Sequence, residues 1–530
     1  MKYNNLTIVM AAGILCGAMA DAVFGQASAD SSVSTNGDTL NNTPYATDNI
    51  PVDTAYATGN RLVTTNSRLA AANKPSQNLS LKDALQRALS DNPLVKVERI
   101  NTDISASLLK ETERAVYEPV LNAAYRASHS ESNKFSRSHN LSVSVSEVLP
   151  TGTGIEVSAG ASPYSSKDTA KPDLTFQNNI GITVTQALLQ GGLGVSANLV
   201  PLRKARIDMS LRKEELAAYT QRLIADTESA YWELLLSGEQ MSIYKYSLEL
   251  AQRLLYESEE RLKLGSAAPA DLVAIRAEVA SRERQLFDAE TAYRQKALQL
   301  VYLMNAPDLW DSDLVLTDTS VSLGKADAVS DHIDAAHMFR PDYKMAFMQA
   351  QKGELDLVQT KNGTLPRLDA FISLGGTSYA ESFPAALAPN SPLTGQISGG
   401  LTLAYPLLSS SARERHRRTE FTVEQQKHSI ENFARLVEYE IRSAHMEVSR
   451  AQRQVETART VSALQLQKLE AEQARMNAGK STSYAVLQVQ RDVISANLDE
   501  AQARTAHISA LISLFSKDGT LLQRRGVKTD

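Results

Sequence analysis

A run of helical heptads at residues 202–305 constrains this chain more than any other feature, because a second version follows about 210 residues later, at residues 412–516. Apolar residues recur every seven positions, a 3.5-residue period typical of supercoiled helices packed side by side. No Gly or Pro interrupts the second copy between Leu407 and Ala478. The sequence therefore predicts two long helical hairpins, the second with a first arm of about 100 Å. The first heptad series contains Leu234, Met241, Leu248, Leu255 and Leu262.

Both hairpins turn at an Arg-x3-Gly motif. It runs from Arg261 to Gly265 in the first hairpin and from Arg475 to Gly479 in the second. Gly suits the left-handed cap that ends a helix, and Pro or Ser suits the start of the next one. One such motif is common at helix ends. Two of them, at matching places in matching hairpins, indicate an internal duplication.

The first residues carry the pattern of a secretory signal peptide. Lys2 precedes an apolar run at residues 6–20, and small residues follow as cleavage options. Cys16 leaves lipidation open as an alternative, although the bulky Leu15 before it fits a lipoprotein signal poorly. The predicted divisions are a signal peptide at 1–25, a flexible extension at 26–78, a first repeat at 79–305, a linker at 306–331, a second repeat at 332–516 and a C-terminal tail at 517–530.

Each repeat contains a helix, then strands, then a long hairpin. The predicted strands lie at 119–188 in the first repeat and at 368–408 in the second, and their apolar residues alternate with polar or small ones. After the signal region no run of eighteen apolar residues occurs, so only strands could cross a membrane. Alternating strands of about ten residues suit a membrane β-barrel. A soluble β-sandwich shares the same period of two and is the alternative.

Composition and motifs argue against several other classes of protein. A net charge of −5 argues against nucleic-acid binding. The eight histidines form no His-Glu-x-x-His pair, and Cys16 is the only cysteine, so the sequence predicts no metal site, no cofactor and no catalytic residues. The carboxylates along the helices are explained by solvated faces. We therefore do not expect an enzyme.

The order of these motifs resembles the TolC-like outer membrane efflux proteins. The resemblance rests on Leu79–Leu89 with Asn92-Pro93, on Arg340-Pro341, on the strand exits near Gln186 and Tyr405, and on both Arg-x3-Gly turns. It implies a mixed α and β membrane protein, a homotrimer whose shared outer-membrane β-barrel continues into a periplasmic α-helical barrel. It also implies passive conduction for an inner-membrane pump, reached through a periplasmic adaptor protein. The alternative is a non-conducting envelope protein that uses its coiled coils as a spacer.

The strand count departs from that family's usual pattern. The family typically places two strands in each half, whereas four candidates occur in the first half of this chain. With two strands from the second half, a trimer would close with about eighteen strands rather than twelve. The four candidates lie near 119–129, 140–149, 155–164 and 176–188.

The hairpin tips are the expected adaptor and gate region. In the best-known family members, the second tip carries aspartates, a tyrosine and an arginine that close the periplasmic entrance. Those places hold Ala485, Gln488, Met476 and Ser481 here, so the resemblance implies a weaker lock. An ion pair of Asp271 with Lys480 between the hairpins is one interpretation and would partly replace that lock. The alternative is that Asp271 is only a carboxylate at the start of a helix, where the helix dipole favours it. The expected tip residues are Arg261, Gly265, Asp271, Arg475, Gly479, Lys480, Tyr484 and Gln488.

Basic residues follow the last strand of each repeat, where strands would leave the bilayer. Contact with anionic lipid headgroups of the outer membrane is one interpretation. A solvated first helical turn is the other. The cluster contains Arg203, Lys204 and Arg206 in the first repeat, and Arg413, Arg415, Arg417 and Arg418 in the second.

Overall fold

A computed structural model gives the structure of this protein. It describes residues 76–130, 136–164, 175–192, 195–263, 269–318, 326–381, 385, 393–407 and 410–527. The longer helices are α1 Leu81–Asp91, α2 Pro93–Ala115, α3 Val200–Lys263, α4 Pro269–Met304, α5 Val329–Phe339, α6 Pro341–Asn362, α7 Ser410–Asn477 and α8 Ser483–Lys517. The strands are β1 Ser76–Leu79, β2 Val120–Ser130, β3 Ser136–Val148, β4 Thr153–Tyr164, β5 Thr175–Ala187, β6 Asp313–Leu316, β7 Arg367–Ala380 and β8 Thr394–Ala404.

The two longest helix pairs are the predicted hairpins, α3 with α4 and α7 with α8. In α7, which has 68 residues, the residues that point at α8 and its neighbours recur at heptad spacing and are buried. Gly479 turns the second hairpin with a φ of 69°, in the left-handed region that favours glycine. Thr482 then caps α8 by accepting a hydrogen bond from the Ala485 amide. The buried series in α7 includes Val437, Ile441, Ala444, Val448, Ala451 and Val455.

Helices α3 and α7 extend through two layers of helices. Near the sheet, α2, α3, α6 and α7 pack in that order, side by side. Toward the hairpin tips the order is α4, α3, α8 and α7. Each layer therefore has α7 at one edge and either α2 or α4 at the other.

Six long strands form one antiparallel sheet in the order β2, β3, β4, β5, β7 and β8. Four of them come from the first half of the chain, and two come from the second half, as expected from the sequence. The link between β3 and β4 is a tight turn in which Gly152 has a φ of 79° and donates its amide hydrogen to the Leu149 carbonyl. Only glycine adopts that conformation without strain. Each strand of this sheet is therefore antiparallel to its neighbours, and the strands lie side by side in the order in which they occur along the chain.

A second, smaller sheet lies at mid-height, where the two helical layers meet. Strands β1 and β6 pair in parallel there, and a short helix at Leu521–Arg524 packs beside them with Leu521 fully buried. These segments lie in or at the edges of the regions predicted as the flexible extension, the linker and the C-terminal tail. Four-residue elements carry too few positions to show a period, so the sequence does not predict them. The core at this height contains Leu79, Leu85, Ile224, Tyr231, Leu234, Leu300, Met304 and Ile512.

Candidate functional site: a two-faced sheet above the helical hairpins

One face of the six-stranded sheet is apolar across its whole width. The register of the strands places six large apolar side chains in one row, one from each strand. Ile397 on β8 is 75% exposed, and within the described residues no second sheet covers this face. A soluble sandwich would bury it, so the exposed face favours contact with lipid. The row contains Leu121, Val145, Val157, Ile182, Leu374 and Ile397.

The opposite face is polar and carries small side chains. Neighbouring rows on it are rich in hydroxyl and amide groups, and Thr183 and Ser373 hydrogen-bond across β5 and β7 at 3.0 Å. Glu156 is a charged exception, and Arg367 pairs with Asp369 at 2.7 Å near the helical end. A polar face of this kind suits a water-filled interior. Two of its rows are Val120, Ser146, Glu156, Thr183, Ser373 and Ser398, and Asn122, Ser144, Ser158, Gly181, Gly375 and Gln396.

An open cavity of about 1310 Å³ lies where this polar face meets the helices. Glu156 and Thr183 line it from the sheet, Asp356 from α6, and Arg415 and Arg418 from α7. The polar side of the sheet therefore continues directly onto one face of α7.

The structure distributes the predicted basic cluster over different surfaces. Lys204 forms an ion pair with Asp356 of α6, and Arg206 forms one with Glu113 of α2 at 3.1 Å. Arg203 is exposed.

The four arginines of α7 also lie on two different faces of that helix. Arg415 and Arg418 line the cavity described above, whereas Arg413 and Arg417 lie on another face of the helix, where they line a small cleft beside Tyr405. Arg417 also stacks over the Phe421 ring, 5.6 Å from its centre. Contact with lipid headgroups stays a prediction for the set.

At the first hairpin tip, Gly265 and the side chains of Arg261 and Asp271 lie outside the described residues. Arg261 belongs to the end of α3, and Asp271 to the start of α4. The Asp271 to Lys480 pair and the weaker lock stay predictions.

The second tip is described. Arg475 pairs with Glu472 of its own helix at 3.2 Å, and the Lys480 amide donates to the Arg475 carbonyl. The side chains of Lys480, Tyr484 and Gln488 are exposed. The tip therefore presents a cation, an aromatic ring and an amide to its surroundings.

Sequence analysis missed an ionic contact slightly above the tips. Glu278 of α4 accepts hydrogen bonds from Arg282, four residues on, and from Arg491 of α8 in the other hairpin. The Glu278 side chain is only 6% exposed. Burial raises the pKa of Glu278, but the hydrogen bond from Arg491 and the charges of both arginines outweigh burial and lower that pKa overall. In the sequence, the four-residue spacing of Glu278 and Arg282 indicates their contact, but no pattern indicates the contact with Arg491.

Two negative findings accompany this geometry. No described helix is both long and apolar enough to span a membrane. Across the described ranges, no group of three His, Cys, Asp or Glu side chains is placed to hold a metal ion.

Comparison with known proteins decides the family. The pattern of the outer membrane efflux protein family matches residues 152–306 and 333–520. The chain belongs to this family. A comparison with curated proteins found no match.

Solved structures share the fold. The CmeC outer membrane channel of Campylobacter jejuni aligns with a TM-score of 0.61 at 14% identity, covering 83% of this chain and 85% of CmeC. VceC of Vibrio cholerae aligns at 0.61 and 13%, covering 83% and 96%. MtrE of Neisseria gonorrhoeae, an outer membrane channel in its open state, aligns at 0.60 and 16%, covering 83% and 88%.

Family membership confirms the fold class and the location expected from the resemblance. The outer membrane efflux protein is a trimeric β-barrel continued by an α-helical barrel, and it lies in the outer membrane and extends into the periplasm. The family is one of channels and not of enzymes. A single chain provides an open sheet of six strands, so the barrel requires further copies.

Proposed function

We propose that this protein is the outer-membrane channel of a tripartite efflux or secretion system. Cargo enters at the hairpin tips, passes along the helical barrel and leaves through the β-barrel, and an inner-membrane pump supplies the energy. The observation that carries this proposal is the two-faced sheet: its apolar face suits lipid, and its polar face continues onto the cavity lined by Arg415 and Arg418. A structural spacer needs no such division of faces.

The partners in this proposal are a periplasmic adaptor and the pump that it links. The second hairpin tip exposes Lys480, Tyr484 and Gln488, and none of the three forms an ion pair within the described residues. Tyrosine is one of the residue types enriched at the hot spots of protein interfaces. Nucleic acid is not expected as a partner, given the net charge of −5.

Ion current through a planar lipid bilayer tests conduction. Purified trimer should give discrete, stable conductance steps, because a water-filled interior connects the two sides. Trimers that insert into the bilayer and carry no current would support the spacer instead.

Site-specific photocrosslinking in the cell envelope tests the adaptor. A photoreactive residue at Tyr484 should capture a periplasmic protein encoded beside a pump. The control is Tyr439, which is 69% exposed in the single chain, against 58% for Tyr484, and lies on α7 far from the tip. Equal capture at both positions would argue against docking at the tip.

A further inference from the structure

Two arginines of α7 face the polar side of the sheet without a partner. Arg415 and Arg418 are both exposed, and both line the cavity of about 1310 Å³ where the sheet meets the helices. Their backbone carbonyls accept hydrogen bonds from the hydroxyl groups of Thr419 and Thr422. Within the described residues, neither guanidinium group forms an ion pair or donates a hydrogen bond. Two cations are therefore available to a ligand that enters the cavity.

Most other charges on the cavity wall are already neutralised. Asp356 of α6 forms an ion pair with Lys204 of α3, and Asp369 of β7 forms one with Arg367 at 2.7 Å. Each pair combines one cation with one carboxylate. These four side chains therefore give the cavity no net charge of either sign.

Two glutamates of the sheet also border the cavity. Glu147 lies opposite Ile155, at a position of the apolar face, so its side chain points away from the polar side. Glu156 lies opposite Ser146 and Thr183 in a row of the polar face. On the polar side, the two arginines of α7 thus share the cavity with one carboxylate, which leaves an excess of one positive charge in each chain.

We infer that Arg415 and Arg418 form a binding site for the anionic groups of cargo, and we rest this inference on the proposed function, which takes the polar side of the sheet as the conducting path. The ligands that fit are small molecules with two or more carboxylate, sulfate or phosphate groups. Members of this family are trimers. Each channel therefore carries three copies of the site at one height, where the helical barrel meets the β-barrel.

The spacing and the chemistry of the two arginines suit such groups. Residues three apart lie on the same face of a helix, so Arg415 and Arg418 can bind one ligand together. An arginine guanidinium is planar and always charged, and it donates two parallel hydrogen bonds to a carboxylate or a phosphate. No aromatic side chain lines the described part of the cavity. Recognition there thus depends on charge and hydrogen bonds and not on aromatic stacking.

The position of the site decides how it acts on cargo. Charged groups on the wall of a cleft raise the local concentration of ions of opposite sign, and salt weakens this effect. Anionic cargo is therefore concentrated at the junction of the two barrels. It is held weakly there, because both arginines are exposed to water. The two arginines thus favour anionic cargo over cationic cargo of the same size.

Block of ion current by tripolyphosphate, a compact polyanion, tests the site. Added to wild-type channels in a planar bilayer, tripolyphosphate should lower the current, and high salt should relieve the block. In Arg415→Gln with Arg418→Gln, we expect equal block only at about tenfold higher tripolyphosphate, since the loss of one hydrogen bond to a charged group changes affinity by about that factor. The matched control is Arg413→Gln with Arg417→Gln, which removes the same charge from another face of α7 and should be blocked like the wild type.

Glu156→Gln tests the site from the opposite direction. Glu156 is the carboxylate that shares the polar side of the cavity with the two arginines. Its replacement raises the excess of positive charge, so tripolyphosphate should block this variant at a lower concentration than the wild type. A damaged fold would not strengthen the block. Unchanged or weaker block in Glu156→Gln would overturn the site, because the probe would then not sense the charge in the cavity.

Phosphorus NMR separates the site from conduction itself. The signals of tripolyphosphate should broaden with purified trimer in a non-ionic detergent, and they should broaden much less with the arginine double variant of the site. A conducting channel whose block is the same in that variant and the wild type, or falls equally in the control, overturns the anion site and leaves the channel intact. Broadening that requires both arginines, in a trimer that carries no current, supports the site and rejects the channel.

Discussion

Arg491 of α8 donates hydrogen bonds from Nε and Nη2 to both carboxylate oxygens of Glu278 on α4, and so joins the second hairpin to the first. Arg282 donates to the same carboxylate at 2.8 Å from its own helix. Glu278 is almost fully buried, whereas Arg491 keeps 46% of its side chain exposed. The two hairpins of one protomer are thus held together near their tips by an ion pair that is partly shielded from water.

Arg491→Ala should loosen the tips. Among the described residues Arg491 alone links Glu278 to the other hairpin. The variant removes this link but leaves Arg282, so we expect a loss of about 1–3 kcal/mol, less than for a buried charge left without any partner. Limited proteolysis should cut the hairpin tips faster than in the wild type. Arg475→Ala is the control, because Arg475 pairs within its own helix. Equal cleavage of the two variants would contradict the assignment.

The same contact predicts a dependence of stability on pH. The pKa of Glu278 is lower in the folded protein than its ordinary value of 4.5. Its contribution is therefore fully present above about pH 4.5 and is lost as the pH falls through the folded-state pKa. Thermal unfolding of the wild type should show a drop in Tm below pH 4.5 that is smaller in Glu278→Gln. Parallel curves for the two proteins would show that Glu278 makes no such contribution.

Arg525→Ala should destabilise the mid-height core. Arg525 hydrogen-bonds to Glu228, whose side chain is 1% exposed on α3. Without Arg525 that buried carboxylate loses its partner, which typically costs about 3–5 kcal/mol. The double variant Arg525→Ala with Glu228→Gln should recover part of the loss, because the buried charge is gone. Denaturant unfolding of Arg525→Ala, Glu228→Gln and the double variant measures this coupling, and no recovery in the double variant would point to packing instead.

Gly152→Ala should impair folding of the sheet. A Cβ at Gly152 would lie 2.2 Å from the Gly191 carbonyl oxygen, and the φ of 79° adds strain. Such backbone strain costs about 1–3 kcal/mol before the clash is counted. Gly154→Ala is the matched control two residues on, where the nearest atom lies at 3.8 Å. The yield of heat-stable trimer should fall in Gly152→Ala and stay near wild type in Gly154→Ala.

Arg415 and Arg418 should influence ion selectivity. Both line the cavity beside the polar face of the sheet, so replacing them by Glu should shift the reversal potential in a salt gradient toward cation selectivity. Arg413→Glu with Arg417→Glu is the control with the same change in net charge on another face of α7. Similar shifts from both pairs would mean that the cavity is not part of the conducting path.

The amino-acid sequence by itself determined the hairpins, the duplication and the alternating strands. These features are periodic, and a period is visible without knowing any distant partner. The apolar residues that recur at heptad spacing in α7 are the ones that are buried in the structure. The four strands of the first half lie close to their expected positions. Resemblance then supplied the family, because the order of loose motifs was more specific than any one of them.

The tertiary structure alone decided which charges meet and which surfaces they face. Glu278 and Arg491 are 213 residues apart, and each stands among other charged residues on a long helix. Of seven basic residues that look alike in sequence, two form ion pairs, two line the cavity, two lie on a second face of α7, and Arg203 is exposed. A period predicts that a helix has an inner and an outer face, but not which helix packs beside it or at what rotation. Those choices depend on the packing of the whole chain, and they fix the polar contacts between helices described above.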